Sequence, residues 1–328
     1  MESYRISAED RGLFKRCRRA WDFGARSRRA LRPKPEDQQV SRGPGRLEQA
    51  VGKALDVYYY PGMWAWDRSI VVPLVHRALD EALRPPGAPA AEEGEVAAGH
   101  ALLDAYAAWA PTHDHFTPVQ VATEIAVNVA DPVISDDDLT TPDGVPVSYA
   151  TWLDALVVDD DNRPWLLRHR VGNAPFMHPD VAALDETALT DAWAWEVYSL
   201  YPRMAGVLFT EVMTRAPAST GREAAGPPFR RHVVGYSREE LAAAGRQLAR
   251  EALDMTDPGL ALYPNPTIAN CGGCAFRDPC RIMRAGGDPG PVLDARYEPR
   301  PEAPLVEGRL GGHTWSMNRG ARPNRFGE

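Results

Sequence analysis

The spacing of hydrophobic and polar positions changes several times along this chain. Residues 7–24 (SAEDRGLFKRCRRAWDFG) bring Leu13, Cys17, Trp21 and Phe23 near one another at helical spacing. Ser7 and Asp10 are set as a capping box, and Pro33 and Pro35 close the segment. Residues 46–60 predict a second helix, ending in YYYPG, and 67–84 and 91–110 predict two more, split by RPPGAPA. The period then drops towards two. VQVATEIAVNV (119–129) alternates as a strand should, and VSYATWLDALVV (147–158) is apolar and rich in β-formers. DDDNRP makes a turn and WLLRHRV (165–171) follows, so the three form a meander. Residues 185–214 read as one long helix bent near Pro202, 229–236 as a short strand, and 237–255 as a helix opened by Ser237 and Glu240. Beyond about residue 285 the chain is rich in Pro, Gly and Arg and has no period. The expected division is a folded domain over 1–284 and a flexible tail over 285–328. The order of elements predicts an α/β fold with a small mixed central sheet and a helical N-terminal region.

Length and charge narrow the possibilities. The 328 residues suffice for one large domain or two smaller ones. No apolar run approaches the ~18–20 residues of a membrane span, and MESYRISAEDRGLF lacks the apolar core of a secretory signal. The expected location is the cytoplasm, with no membrane partner. There, cysteines serve as metal ligands or redox groups more often than as disulfides. The net charge is −8, but residues 1–46 hold thirteen Lys or Arg against six acids. That segment carries +7 and the remainder −15. A basic segment on an acidic body predicts a local anionic partner, nucleic acid being the usual one, with Arg16, Arg18 and Arg19 as contacts. The competing reading is a solvated basic helix face.

Three of the four cysteines fall in NCGGCAFRDPC: Cys271, Cys274 and Cys280, spaced C-x2-C-x5-C. Two residues between the first pair let both thiolates turn onto one ion, and a fourth ligand completes a tetrahedral zinc or an iron–sulfur cluster. Cys17 is the remaining thiol, and a metal on all four would staple the N-terminal helix to the C-terminal loop. Spacing alone leaves zinc and iron–sulfur equally open, with unmetallated thiols as a third reading.

This layout resembles that of RecB-like PD-(D/E)XK nucleases carrying a 4Fe–4S cluster, among them the CRISPR-adaptation exonucleases and AddB-type nuclease domains. KRCRRAW resembles their C-P-x-x-F/W segment, with Cys17 and Trp21 in place and Arg18 where Pro is usual. YPNPTIANCGGCAFRDPC resembles their C-terminal cysteine loop. The resemblance covers about residues 5–283. It implies a restriction-endonuclease-like core closed by a 4Fe–4S cluster on Cys17, Cys271, Cys274 and Cys280. It also implies a role in DNA repair, recombination or defence beside a helicase or nuclease subunit.

The family cleaves phosphodiesters with divalent metal held by acidic oxygens, with a lysine at the attacking water. TWLDALVV resembles the strand that carries the metal-binding Asp, at Asp154. LLRHRVG resembles the D/E-x-K strand, but Arg168 stands for its acid and Arg170 for its lysine. Gly52 or Lys53 stands where an upstream His is expected. The chain has three lysines, Lys15, Lys34 and Lys53, so no shift of register restores the motif. A guanidinium stays protonated and is a poor activator of water. The expectation is a pseudo-nuclease without Mg²⁺ or Mn²⁺, binding nucleic acid through the N-terminal arginines and an Arg168/Arg170 cleft. In that cleft the two arginines either pair with Asp154 or Glu124 or hold a phosphate. Two alternatives stand beside it. One is an active metal-dependent exonuclease with relocated ligands such as Glu124 or Glu196. The other is a metal-stapled scaffold that binds protein. Trp193 and Trp195 read as core rather than base-stacking platforms, His169 as a packed histidine, and His113 and His115 as a weak metal pair.

Overall fold

The computed structural model describes residues 3–34, 37, 45–84, 91–134, 137–199, 203–214 and 227–301. The chain opens with strand β1 (Tyr4–Ser7), followed by α1 (Ala8–Arg16), α2 (Arg18–Gly24) and β2 (Leu31–Pro33). Three helices come next: α3 (Arg46–Tyr58), α4 (Arg68–Leu83) and α5 (Glu93–Trp109). The meander is β3 (Phe116–Asn128), β4 (Val147–Asp159) and β5 (Pro164–Gly172). After it come α6 (Pro179–Ala183), α7 (Glu186–Ser199), β6 (Gly206–Met213), β7 (Phe229–Gly235) and α8 (Arg238–Thr256). The C-terminal part holds α9 (Ile268–Cys271), α10 (Arg277–Arg284), α11 (Gly290–Arg296) and β8 (Tyr297–Pro299).

Six strands form a mixed sheet. β4 pairs antiparallel with β3 along one edge. Its other edge is shared by β1, parallel at Val147–Ala150, and β5, antiparallel at Ala155–Val158. α7 carries the chain from β5 to a parallel β6, and β7 adds antiparallel to β6. One face of the sheet packs on α1, α2, α7 and α8 through Phe14, Trp21, Trp195 and Leu248. The other packs on α3, α4 and α5 through Leu55, Leu79 and Tyr106. On that second side Tyr59 and Tyr106 share a 2.6 Å hydrogen bond, and Arg231 of β7 pairs with the buried Asp114. The fold is thus α/β with a mixed central sheet and helices on both faces. Among the described residues no helix is long and apolar enough to cross a membrane.

Three sequence expectations change. The long helix over 185–214 ends at Ser199, and GVLFTEVM forms β6 instead. All eight residues of β6 are buried, because it lies between β5 and β7 with helices on both faces, so its apolar run shows no alternation. The N-terminal helix breaks at Cys17, whose backbone is extended (φ −166°, ψ 109°) between α1 and α2. Residues 285–301, expected to be part of a flexible tail, are ordered: α11 folds, and β8 pairs antiparallel with β2. Residues 302–328 of that expected tail lie outside the described residues.

Candidate active-site cleft and cysteine corner

The C-terminal ends of the parallel pair β5 and β6 open into a cleft of about 680 Å³. α3 lines one wall with Glu48, Gly52, Lys53 and Asp56. The strands supply Asp154, His169, Arg170 and Glu211, and the loop after β5 adds Asn173 and Phe176. Glu48, Gly52 and Asp56 recur every four residues and so share a helix face. Glu48 anchors the start of α3 by accepting from the Gly45 amide and, at 3.2 Å, from Asn173.

Asp154 sits where β4 and β5 part. The register of this pair ends at Ala155–Leu167. Beyond it, Asp154 Oδ2 accepts from the His169 backbone N–H at 2.8 Å. The structure thereby brings Asp154 together with Gly52 and Lys53, the two positions aligned with the family's upstream His. Lys53 is exposed and makes no side-chain hydrogen bond or ion pair among the described residues.

Both arginines of β5 are taken, but not by the partners expected. Arg168 Nη1 lies 2.9 Å from Asp191 of α7, a carboxylate 1% exposed, whose other oxygen accepts from Tyr149 at 2.9 Å. Burial pushes Asp191 up to about 6, although Arg168 pulls the other way. Burial also opposes the charge on Arg168, but the carboxylates of Asp191, Asp154 and Asp185 outweigh it and raise its pKa. Arg170 Nη1 lies 2.5 Å from Glu211, which is 2% exposed and also accepts from the Met177 N–H and contacts His232. Asp154 takes neither arginine, and Glu124 pairs with Arg5 at 2.5 Å. His169, on the opposite face of β5, stacks on Tyr59 with ring centroids 5.3 Å apart. Burial lowers its pKa to about 4 against the pull of Asp154.

The relocated ligands considered from sequence do not reach the cleft. Glu124 is engaged as above, and Glu196 accepts from the Met204 N–H at 2.8 Å. His113 stacks on Trp109 at 4.1 Å. Trp195 is buried in the core, and Trp193 fills the space where a Cβ on Gly245 would stand, as expected of packing residues. Sequence reasoning missed Glu48, Asp56 and Glu211. The four-residue spacing on α3 was the available signal for the first two.

The second locus is the corner where α1 and α2 meet the segment that carries α9, α10 and α11. Cys17 and Cys274 pack on one small cluster of Ala20, Phe23, Phe276, Leu293 and Tyr297. Gly24 lies so close to Phe276 that a Cβ would stand 2.8 Å from its ring. Burial raises the Cys274 thiol pKa, the Phe276 backbone hydrogen bond opposes it, and the nearby Cys17 and Cys271 raise it further. The Asn265 N–H points at Cys17 Sγ at 3.5 Å, and Arg19 Nη1 approaches Cys280 Sγ at 3.8 Å. The structure therefore gathers at one corner thiols separated by about 250 residues. Among the described residues no three His, Cys, Asp or Glu side chains converge in metal-holding geometry.

The arginines of this corner fare unevenly. Arg11 and Lys15 are spent on Glu186 and Glu251. Arg18 lies over the rings of Phe14 and Tyr263 and 4.0 Å from Asp254. Arg16, Arg281 and Arg284 have no carboxylate partner among the described residues.

No family model and no curated protein matches this chain. A solved structure, "Crystal structure of SSO0001", is similar to it with 9% identity and a TM-score of 0.31, covering 70% of this chain and 91% of that one. A likeness at that level carries no argument about fold or function.

Proposed function

We propose that this chain is a RecB-like, PD-(D/E)XK-type domain that keeps the nuclease architecture but not its chemistry. The observation that carries the reading is the fate of the two motif positions. Arg168 and Arg170 replace an acid and a lysine, and each is locked onto a buried carboxylate. Arg168 supplies no carboxylate oxygen for a divalent ion beside Asp154, and Arg170 is a poor activator of water. The meander β3–β4–β5, the crossover helix α7 and the parallel β6 follow the order expected of such a core.

The four cysteines are proposed to hold a 4Fe–4S cluster, with zinc as the alternative. The donor set suits either: the thiols are half-buried and gathered, with Arg16 and Arg19 beside them to offset thiolate charge. Such a cluster would act as a staple between chain ends. Anaerobic protein that is brown and carries iron supports the cluster, and colourless protein with stoichiometric zinc supports the alternative.

Nucleic acid is the proposed partner, bound at the corner rather than in the cleft. Arg168 and Arg170 are neutralised internally, so the reading rests on Arg16, Arg18 and Arg19 together with Arg281 and Arg284 of α10. The scaffold reading keeps one point in its favour, the internal pairing of Arg5, Arg11 and Lys15. The test uses end-labelled single-stranded and duplex DNA with Mn²⁺, resolved on a denaturing gel. Intact DNA, with binding that weakens steeply as salt rises, is expected. Cleavage that disappears in Asp154→Ala would overturn the loss of chemistry, and the absence of salt-sensitive binding would favour the scaffold.

A further inference from the structure

Away from the cleft and the cysteines, the helical layer carries a ring of four metal-ligating side chains. α4 presents His76 and Asp80, and α5 presents His100 and Asp104. Each pair is four residues apart and shares one helix face. The pairs cross: His76 Nε2 lies 3.0 Å from Asp104 Oδ1, and His100 Nε2 lies 2.9 Å from Asp80 Oδ1. The two imidazoles meet edge to face with centroids 4.4 Å apart. Gly99, next to His100, permits this approach. A Cβ there would stand 2.7 Å from Leu79 Cδ2 and 3.1 Å from Leu47 Cδ1.

Two surface ion pairs would not require this arrangement. The edge contact places two imidazoles at one spot, where an ion pair uses only one. The His76 Nε2 atom is buried and, although close to Asp104, makes no aligned hydrogen bond, which is uncommon for a buried polar atom. The two N···O separations are a few tenths of an ångström short of the ~3.3 Å edge of a tetrahedron with metal–ligand bonds of about 2.0–2.1 Å. As they stand the four side chains form two His–Asp pairs and do not converge on one point. Asp80 is 35% exposed and Asp104 61%, so both carboxylates have room to turn.

We propose that His76, Asp80, His100 and Asp104 form a structural site for a divalent transition metal of the zinc class, clamping α4 to α5. Two imidazoles with two carboxylates suit such a borderline ion. Mg²⁺ and Ca²⁺ prefer all-oxygen sets, and softer ions prefer thiolates. Four protein donors leave no open position, which marks a structural site rather than a catalytic one. Each neutral imidazole binds through the Nε2 lone pair with its proton on Nδ1, and a protonated imidazole releases one proton to solvent. α4 packs on α3, so the clamp stiffens the layer that holds Glu48 and Lys53 at the cleft. The proposal is independent of the nuclease reading.

The test is a titration of the full chain with Co²⁺, followed by its visible spectrum. One equivalent should give tetrahedral d–d bands free of the sulfur-to-cobalt charge transfer that cysteine ligation produces, and Zn²⁺ should displace it. Asp104→Asn, at an exposed position that leaves the fold intact, should weaken binding at least about tenfold, and His100→Ala should abolish the bands. Zn²⁺ should raise the thermal midpoint of the wild-type chain more than that of His100→Ala, in which only the cysteines could still take the ion. Absence of such bands, cobalt held through sulfur alone, or bands unchanged in both variants would overturn the site.

Discussion

Arg168 and Arg170 on β5 each face a carboxylate no more than 2% exposed, whereas Arg16, Arg281 and Arg284 around the cysteines face none among the described residues. The two regions thus use the same side chain for opposite ends. A buried carboxylate that loses its arginine is left charged in a medium that solvates it poorly, so the β5 arginines belong to the fold. The corner arginines Arg16, Arg281 and Arg284 are exposed and stay hydrated, which leaves their charge open to the anionic partner proposed above. A basic residue on strand β5 was therefore weak grounds for expecting a phosphate there, and its partner across the core decides the matter.

The largest effect should come from breaking a pair made by a β5 arginine. Arg168→Leu strands Asp191 and should cost about 3 kcal/mol in urea unfolding, while Arg168→Leu with Asp191→Leu should recover most of it. If the single variant is as stable as wild type, the β5 arginines are not structural and the contrast with the corner collapses.

A somewhat smaller effect lies in the pH dependence. Asp191 is raised to about 6 from an ordinary value near about 3.9, so its contribution is full below about pH 4 and lost as pH rises through about 6. His169 is lowered to about 4 from about 6.5, so its contribution is full above about pH 6.5 and lost as pH falls through about 4. The two slopes oppose each other between about pH 4 and 6 and should largely cancel. His169→Phe should uncover a decline of about 2–3 kcal/mol as pH climbs over that range, and Asp191→Asn a comparable rise. Parallel profiles for the two variants would show that these groups do not titrate as the pair described.

The smallest effect concerns the corner. If duplex DNA binds there, Arg16→Ala with Arg281→Ala should reduce the slope of log K against log salt by about 2, close to 0.9 per lost phosphate contact. Lys53→Ala, in the cleft, should leave the slope unchanged. The reverse result would move the nucleic acid into the cleft and leave the corner arginines to the thiols alone.

Much of the architecture could be read from pattern. The capping boxes at Ser7 and Ser237 mark real helix starts, and the meander strands fall within a few residues of their expected bounds. β6 could not be read, because a strand covered on both faces and a buried helix segment both appear as apolar runs. The ordered α11 and β8 were hidden by Pro and Gly content, since the pairing partner of β8 is β2, about 260 residues earlier. In the candidate site, Asp154 and the two arginines were visible as motif positions. Lys53 was noticed only as a substitution, because its place in the Asp154 cleft depends on how α3 packs on the sheet.

The sequence by itself determined where α1, α8 and the three meander strands begin. It also placed two arginines on the strand that resembles a D/E-x-K motif and spaced three cysteines within ten residues. These are local properties of capping, period and side-chain chemistry. Only the tertiary structure decided that those arginines face Asp191 and Glu211 and that Cys17 lies beside Cys274. It alone set His76 against His100 and made Lys53 a wall of the cleft. Each of these is a meeting of residues distant in sequence, fixed by which apolar faces bury against one another, and no local pattern carries that information.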